Sequence, residues 1–471
     1  MSSQILPYES VNGSTTAAPQ DFQVARRMGF LPPQMPLPRL PAEWEEWEAT
    51  LDAATSQRFK AAEQLAALDG PQKFVEEEKA SAWRKLVDKM PVLSIDNIKG
   101  CERELRRAHL VLTFMVQFYA HTTPSTESIT IPRSLTVPLL RVSRELNHAP
   151  FVTYSDHDLH NWSFKDPRGQ DAIPMSDNIQ SQLTLSGTTD EAGMYLVGLR
   201  MELKGAEALE LLGRSTKEIE AGNNIDVDRI TTHLTQTTKV IQELKSILMT
   251  TKELVRPEIF FNDIRPWLVG ADADKWGRKW VWGGKEEVEN SEQMLTKVSS
   301  PTAGQSPLIP TLDAYLGVEE DDSKRSFLDR VRGYMDRQHE EYLQSLRLRK
   351  KIIRSFVQGI AKERGTNAPV VVAYNAAVQA MKSLRDAHLV IVTLYIIIPS
   401  RKMAKTSEKS ARVSSVDISP ASGKTEDCSH EGSSGTNNEH AGEAAPMVDQ
   451  VPELLKILKG FRDQTGQTCV E

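Results

Sequence analysis

Residues 384–399 read LRDAHLVIVTLYIIIP, an apolar run with one histidine, His388. Its large side chains recur at intervals of three and four, so it reads as a helix with His388 on a face shared by Leu384, Arg385, Val392 and Tyr395. The uninterrupted apolar part, 388–398, is shorter than the roughly 20 residues that span a bilayer, so it belongs inside a protein core. A near echo, LRRAHLVLTFMVQFYAH at 105–121, sets His109 among Leu105, Arg106, Leu112, Thr113 and Val116. Nothing around either copy recurs at a fixed period, which excludes a repeat architecture. A lone histidine on such a face is most often a hydrogen-bonded core residue, because a buried neutral imidazole needs only one partner. Periodicity alone leaves both histidines open to either role.

Working outward, the same spacing predicts an all-α protein. Helices are expected at 42–68, 72–90, 94–120, 135–146, 189–212, 225–252, 256–269, 323–347, 348–363 and 369–398, and no Asn-Gly or Asp-Gly pair sits between the alternating runs that would signal a hairpin. The organisation expected is a disordered arm over 1–25, a small helical domain over 26–186 and a larger helical domain over 187–401. Residues 402–446, rich in Ser, Gly, Glu and Lys, read as a mobile linker or lid, and 447–471 as a docking helix with Leu454, Leu455 and Leu458 on one stripe.

Composition narrows the function classes. A net charge of −7 and a pI near 5.9 argue against nucleic-acid binding, which needs clustered Lys and Arg. Cys101, Cys428 and Cys469 share no metal-ligand spacing and form no disulfide framework, so a reducing compartment is expected. The start, MSSQILPYESVNGSTTAAPQ, lacks the apolar core of a signal peptide. The expectation is a soluble cytoplasmic protein with no membrane partner.

Three stretches carry candidate chemistry. His388 offers a neutral imidazole amid apolar walls, the setting haem needs, with Arg385 one turn earlier as a cation for a propionate. YSDHDLHNW (154–162) crowds Asp156, His157, Asp158 and His160, the ligand types of a two-histidine, one-carboxylate metal site, but also what a polar turn contains. IFFNDIRPWLVG (259–270) places Arg265 beside Phe261 and Trp267, suited either to gripping a carboxylate ligand or to pairing with Asp263. Phosphate-loop, dinucleotide, serine-nucleophile and Cys-x-x-Cys motifs do not occur.

Seven blocks in order, GFLPPQMPLPRLP, LRRAHLVLTFMVQFYAH, APFVTYSDHDLHNW, GMYLVGLRMEL, FFNDIRPWLVG, TAGQSPLIPTLDAYLG and SLRDAHLVIVTLYIIIPS, resemble the indoleamine 2,3-dioxygenases across nearly the whole chain. The resemblance implies haem b iron on His388 as proximal ligand, with Arg385 and Asp313 supporting the proximal side and a propionate. It also implies substrate contacts from Arg265 (carboxylate clamp), Phe260, Tyr154, Leu268 and the small-residue loop at Thr302 and Ala303, and leaves His109 to the core. The reaction implied is insertion of O2 across the indole C2=C3 bond of L-tryptophan, giving N-formylkynurenine in the kynurenine pathway of tryptophan catabolism. No protein acid or base is implied, and a reductant must keep the haem ferrous.

The chain departs from the pattern on the distal side. Mammalian members have Phe and, four residues on, Ser where this chain has Met194 and Gly198; they have Cys-Val where it has His157 and Asp158, and Gly where the loop begins with Pro301. The departures imply an altered indole pocket, with His157 expected to bring a polar group into an otherwise apolar wall. The alternative they raise is a haem protein of the same fold that acts on another indole or senses a ligand with little tryptophan turnover.

Overall fold

Helices account for nearly all regular structure in the computed structural model, which describes residues 28–166, 174–318, 329–349, 351–405 and 447–471. The expected arm at 1–25 and the lid segment from 406 to 446 lie outside the described residues. The N-terminal part contains α1 (Glu45–Gln57), α2 (Gly70–Lys89), α3 (Glu102–Thr122) and α4 (Arg133–Leu146). Then come α5 (Thr189–Ala221), α6 (Val227–Met249), α7 (Leu308–Leu316), α8 (Arg337–Leu348), α9 (Ile352–Arg364), α10 (Pro369–Val392) and α11 (Met447–Gly466). Among the described residues strands are limited to two three-residue pairs: β1 (Ile129–Ile131) lies parallel to β4 (Trp280–Trp282), and β2 (Trp162–Phe164) antiparallel to β3 (Ile179–Ser181).

Two large apolar cores stand out among the described residues. The first joins Trp47, Leu51, Trp83, Leu110, Phe114 and Phe118 of α1–α3, and Trp267 and Trp282 insert into it from much later in the chain. The second joins Leu212, Leu234, Ile241, Leu312, Val357, Tyr374 and Met381 from α5, α6, α7, α9 and α10. On these cores we propose the domain division near Gly187. Arg107 of α3 crosses the first core to Glu48 of α1 through Nη2–Oε2 at 2.6 Å and Nε–Oε1 at 2.8 Å, and Glu48 Oε1 also accepts the Leu40 amide.

The helix ends follow local chemistry. The Thr188 side chain accepts the Glu191 amide at the start of α5, while the buried Glu191 carboxylate takes the amides of Leu185 and Ser186 and the Tyr195 hydroxyl. That fixes the helix carrying Met194 and Gly198. The single helix expected over 42–68 is broken instead at Arg58, which adopts φ 48° beyond α1. The helix expected over 256–269 is a series of short turns: Pro257–Ile259, a π-helical Phe260–Ile264 and a 3-10 Arg265–Leu268. Pro266 accounts for part of this, since it lacks the amide a continuing α-helix needs. Of the helix expected over 323–347, residues 323–328 lie outside the described residues, 329–332 are helical, and after a break at 333–336 α8 runs from Arg337.

At the C-terminal end α11 packs along α10. Asn375 exchanges two hydrogen bonds with the Val470 backbone, and Leu455 and Leu458 sit against Val392 and Ile397. No helix among the described residues is long and apolar enough to cross a membrane.

Candidate active site

Three π-helical turns, Ser155–Leu159, Phe260–Ile264 and Thr393–Ile397, fall in or beside the stretches singled out from sequence. Such turns widen a helix locally and re-aim its side chains, and they concentrate at functional sites. Here two of them meet. Phe260 packs edge-on against Tyr395 with ring centroids 5.8 Å apart, and Phe260, Leu268 and Met194 share one apolar cluster with Ile391, Leu394 and Tyr395. Ile391 lies one turn beyond His388, so this cluster adjoins the face of α10 that carries the imidazole.

His388 is half-buried, and its ring nitrogens have no hydrogen-bond partner among the described residues. Burial first, and then the neighbouring Arg385 charge, hold the ring below the ordinary histidine value, so the neutral form with a free lone pair is favoured. Arg385 itself bridges three elements: Nη2 meets Asp313 Oδ2 of α7 at 2.5 Å and Nη1 donates to Thr465 Oγ1 of α11 at 2.7 Å. Asp313 Oδ1 is buried without a partner among the described residues.

Arg265 begins the 3-10 turn that follows Phe260, with its guanidinium 4.8 Å from the Phe261 ring centroid. Burial lowers its pKa, and Glu63 opposes that shift. Asp263, the alternative partner considered for Arg265, accepts instead from Gln64 Nε2 at 2.7 Å.

Tyr154, Gly198 and the 302–306 loop meet around a buried carboxyl, Glu202. Tyr154 OH donates to Glu202 Oε1 at 3.0 Å and Ser306 Oγ donates to the same oxygen at 2.6 Å, while the Tyr154 amide is held by Gln305 Oε1. Thr302 and Ala303 are exposed beside this anchor, and the start of the loop is pinned where Ser300 Oγ accepts the Gly270 amide at 2.8 Å. Gly270 has no room for a side chain there, since a Cβ would lie 2.4 Å from Ser300 N. Glu202 Oε2 has no partner among the described residues, and burial, with Asp158 adding to it, pushes this carboxyl up to about 7.

A profile of the indoleamine 2,3-dioxygenase family matches residues 18–468. The chain belongs to the indoleamine 2,3-dioxygenase family. It is 30% identical to the indoleamine 2,3-dioxygenase of Saccharomyces cerevisiae over 403 residues, 83% of this chain and 82% of the yeast protein. Human indoleamine 2,3-dioxygenase 2 is 29% identical over 317 residues, 67% of this chain and 74% of that one. A Fusarium equiseti protein named 6-hydroxytryptophan 2,3-dioxygenase is 27% identical over 405 residues, 86% of this chain and 91% of that one. The family reaction is oxidative cleavage of the indole ring of tryptophan.

Within this indoleamine 2,3-dioxygenase relative, the YSDHDLHNW stretch splits three ways rather than forming one cluster. Asp156 turns toward α3, where its Oδ1 lies 2.6 Å from His109 Nδ1. His160 turns toward Asp336, with Nε2 3.5 Å from Oδ2. His157 stacks on Tyr195 with centroids 5.0 Å apart, and its Nδ1 lies 2.6 Å from Asp158 Oδ2. It is Asp158, not His157, whose carboxyl meets Gly198: a Cβ on Gly198 would lie 2.1 Å from Asp158 Oδ1.

His109 is buried and both its ring nitrogens face acceptors, Nδ1 the Asp156 carboxylate and Nε2 the Ala149 carbonyl at 2.9 Å. Ligand-type atoms of His109, His148 and Asp156 lie within 4.8 Å of one another. The His109 and Asp156 bonds are already satisfied within that group, with Asp156 Oδ2 accepting from Thr153, and Asp156 is held at about 2 despite its burial, chiefly by the His109 charge. Sequence reasoning passed over Glu202, Gln305 and Ser306. The available signal was spacing, since Glu202 follows Gly198 and Met194 at four and eight residues on one face of α5.

Proposed function

We propose that this chain is a haem-dependent dioxygenase that inserts both atoms of O2 across the indole C2=C3 bond of L-tryptophan, giving N-formylkynurenine. The observation that carries the reading is the meeting of the His388 face of α10 with Phe260, Leu268 and Met194 in one apolar cluster. The residues present suit haem b: an unpartnered neutral imidazole at His388, apolar side chains for the ring, and Arg385 with Asp313 for a propionate and the proximal side. Bound there, haem would supply dioxygen activation, kept ferrous by an external reductant.

The protein's part is binding and orientation. Arg265 pairs with the substrate carboxylate, Phe260 and Leu268 flank the indole, Tyr154 closes the far wall through its bond to Glu202, and Thr302 and Ala303 let the backbone come close. Holding two reactants in register contributes roughly 7 kcal/mol or more to the lowering of the barrier. The apolar cluster excludes water from the reacting edge. Atoms balance without a protein acid or base, since both oxygens remain in the product. The three cysteines, without metal-ligand spacing or a disulfide framework, fit a reducing, cytoplasmic setting for the enzyme.

The test is purified, haem-reconstituted, reduced protein offered L-tryptophan under O2, with N-formylkynurenine followed by absorbance. Wild-type protein forms product. His388→Ala fails to retain haem in the visible spectrum while keeping wild-type far-UV circular dichroism, and full haem loading in that variant would refute the ligand assignment.

A further inference from the structure

Gly198 lies four residues after Met194 on the same face of α5, and Met194 belongs to the apolar cluster beside His388. With no side chain at 198, the space is taken from across the site by Asp158, whose Oδ1 sits 2.1 Å from where a Cβ would be, with Tyr154 OH 3.3 Å from the same point. Asp158 is 3% exposed. Its Oδ1 has no hydrogen-bond partner among the described residues, and neither does Glu202 Oε2 one turn further along α5. A buried acceptor with no donor costs free energy unless a ligand or water supplies one.

L-Tryptophan brings a single donor on its ring system, the indole N–H, and this belongs to the five-membered ring that reacts. Glu202, raised to about 7 with Oε1 already accepting two bonds, holds its own proton on Oε2 in its neutral form, so Asp158 Oδ1 is the acceptor left without a donor. An unsubstituted benzo ring against a carboxyl leaves that carboxyl desolvated with nothing in return. A hydroxyl on the benzo ring supplies the missing donor, and sites built around a substrate hydroxyl discriminate strongly against the analogue that lacks it.

We propose that Asp158, admitted by Gly198, is a specificity-determining residue that accepts a hydrogen bond from a hydroxyl on the benzo ring of the substrate, making ring-hydroxylated tryptophans the preferred substrate class. This rests on the reading of the site as an indole-cleaving haem pocket. Burial lifts Asp158 above the usual carboxylate range, as expected of an acceptor deprived of both water and donors. His157 Nδ1 lies 2.6 Å from the other oxygen of this carboxyl.

The experiment uses the haem-loaded full chain and four probes, L-tryptophan and its 5-, 6- and 7-hydroxy derivatives. Binding to the ferric protein is measured by calorimetry and kcat/KM after reduction by product formation. Wild-type protein prefers at least one hydroxytryptophan over L-tryptophan by about 10- to 100-fold, the range of one hydrogen bond to a charged acceptor. Asp158→Val abolishes the preference, and Asp158→Asn, whose amide oxygen still accepts, retains part of it. Gly198→Ala, which forces the carboxyl away from its seat, reduces the preference with Asp158 still present. Circular dichroism and haem stoichiometry show that each variant is folded.

Equal preference in wild type and Asp158→Val overturns the inference. So does a loss shared equally by L-tryptophan, which would put the carboxyl on the indole N–H. Cleavage of L-tryptophan with no hydroxyl preference refutes this inference alone, whereas failure of every probe to bind refutes the haem-pocket reading with it.

Discussion

Replacing Arg265 by Leu tests the carboxylate clamp proposed for this residue. The guanidinium is half-buried, held 4.8 Å from the Phe261 ring, and already partly desolvated, as its lowered pKa records. Pairing with a substrate carboxylate adds a charge-assisted bond, about 1.5–3 kcal/mol. In kcat/KM for L-tryptophan that is about a 10- to 150-fold loss. Tryptamine has the indole and no carboxylate, so its kcat/KM changes by less than about threefold in the same variant, inside the range of indirect packing effects. Arg265→Lys keeps the charge but loses the planar fork and its contact with Phe261, and falls between the two. The assay is steady-state product formation with both substrates, alongside haem content. Unchanged L-tryptophan turnover, or a parallel fall for tryptamine, would refute the clamp.

Two further predictions concern stability. Glu48→Ala leaves Arg107 buried beside Gln182 with its carboxylate gone, and is expected to cost about 3–5 kcal/mol in urea unfolding, whereas a loss under about 1 kcal/mol would show that water replaces the pair freely. His121 is buried between Trp267 and Trp280 with Nε2–H donating to the Val269 carbonyl, and burial lowers its pKa from 6.5 to about 4. Between those values the unfolded chain holds one proton more than the folded one, so stability falls as pH drops through this window, by about 1.4 kcal/mol per pH unit for this residue. His339 and His148 act in the same direction, and Glu202, raised to about 7, acts in the opposite one. The pH slope of the unfolding free energy in His121→Phe should therefore be smaller by one proton than in wild type, and equal slopes would sink the argument.

The helical class was legible because three-and-four spacing is a property of each segment alone. Helix ends were less so: the break at Arg58 rests on one left-handed residue, and the turns over 257–268 depend on how Phe260 and Trp267 pack on segments far away in sequence. Phe260, Leu268 and Met194 could be named from resemblance, but their sharing one cluster with α10 is a fact of tertiary packing. Glu202 was missed because a carboxylate on a mostly apolar helix looks like a solvated position until Tyr154 and Ser306 are seen to donate to it from two other segments.

The twin motifs LRRAHL and LRDAHL show where local sequence stops deciding. Both put a histidine four residues after a leucine on an apolar helix, one ending up buried and the other half-buried. What separates them comes from elsewhere in the chain. Asp156 and the Ala149 carbonyl, both supplied by the segment after α4, face the two nitrogens of His109, so that ring is committed to holding α3 against its neighbour. No segment among the described residues offers His388 an acceptor, and Arg385, one turn away, disfavours its protonated form while being tied itself to Asp313 and Thr465. An imidazole kept neutral and unpartnered beside an apolar cluster is available to a metal, and one locked between two acceptors is not. The same reasoning applies across the site: the Gly198 side chain that is missing matters because Asp158, forty residues earlier in sequence, fills its place.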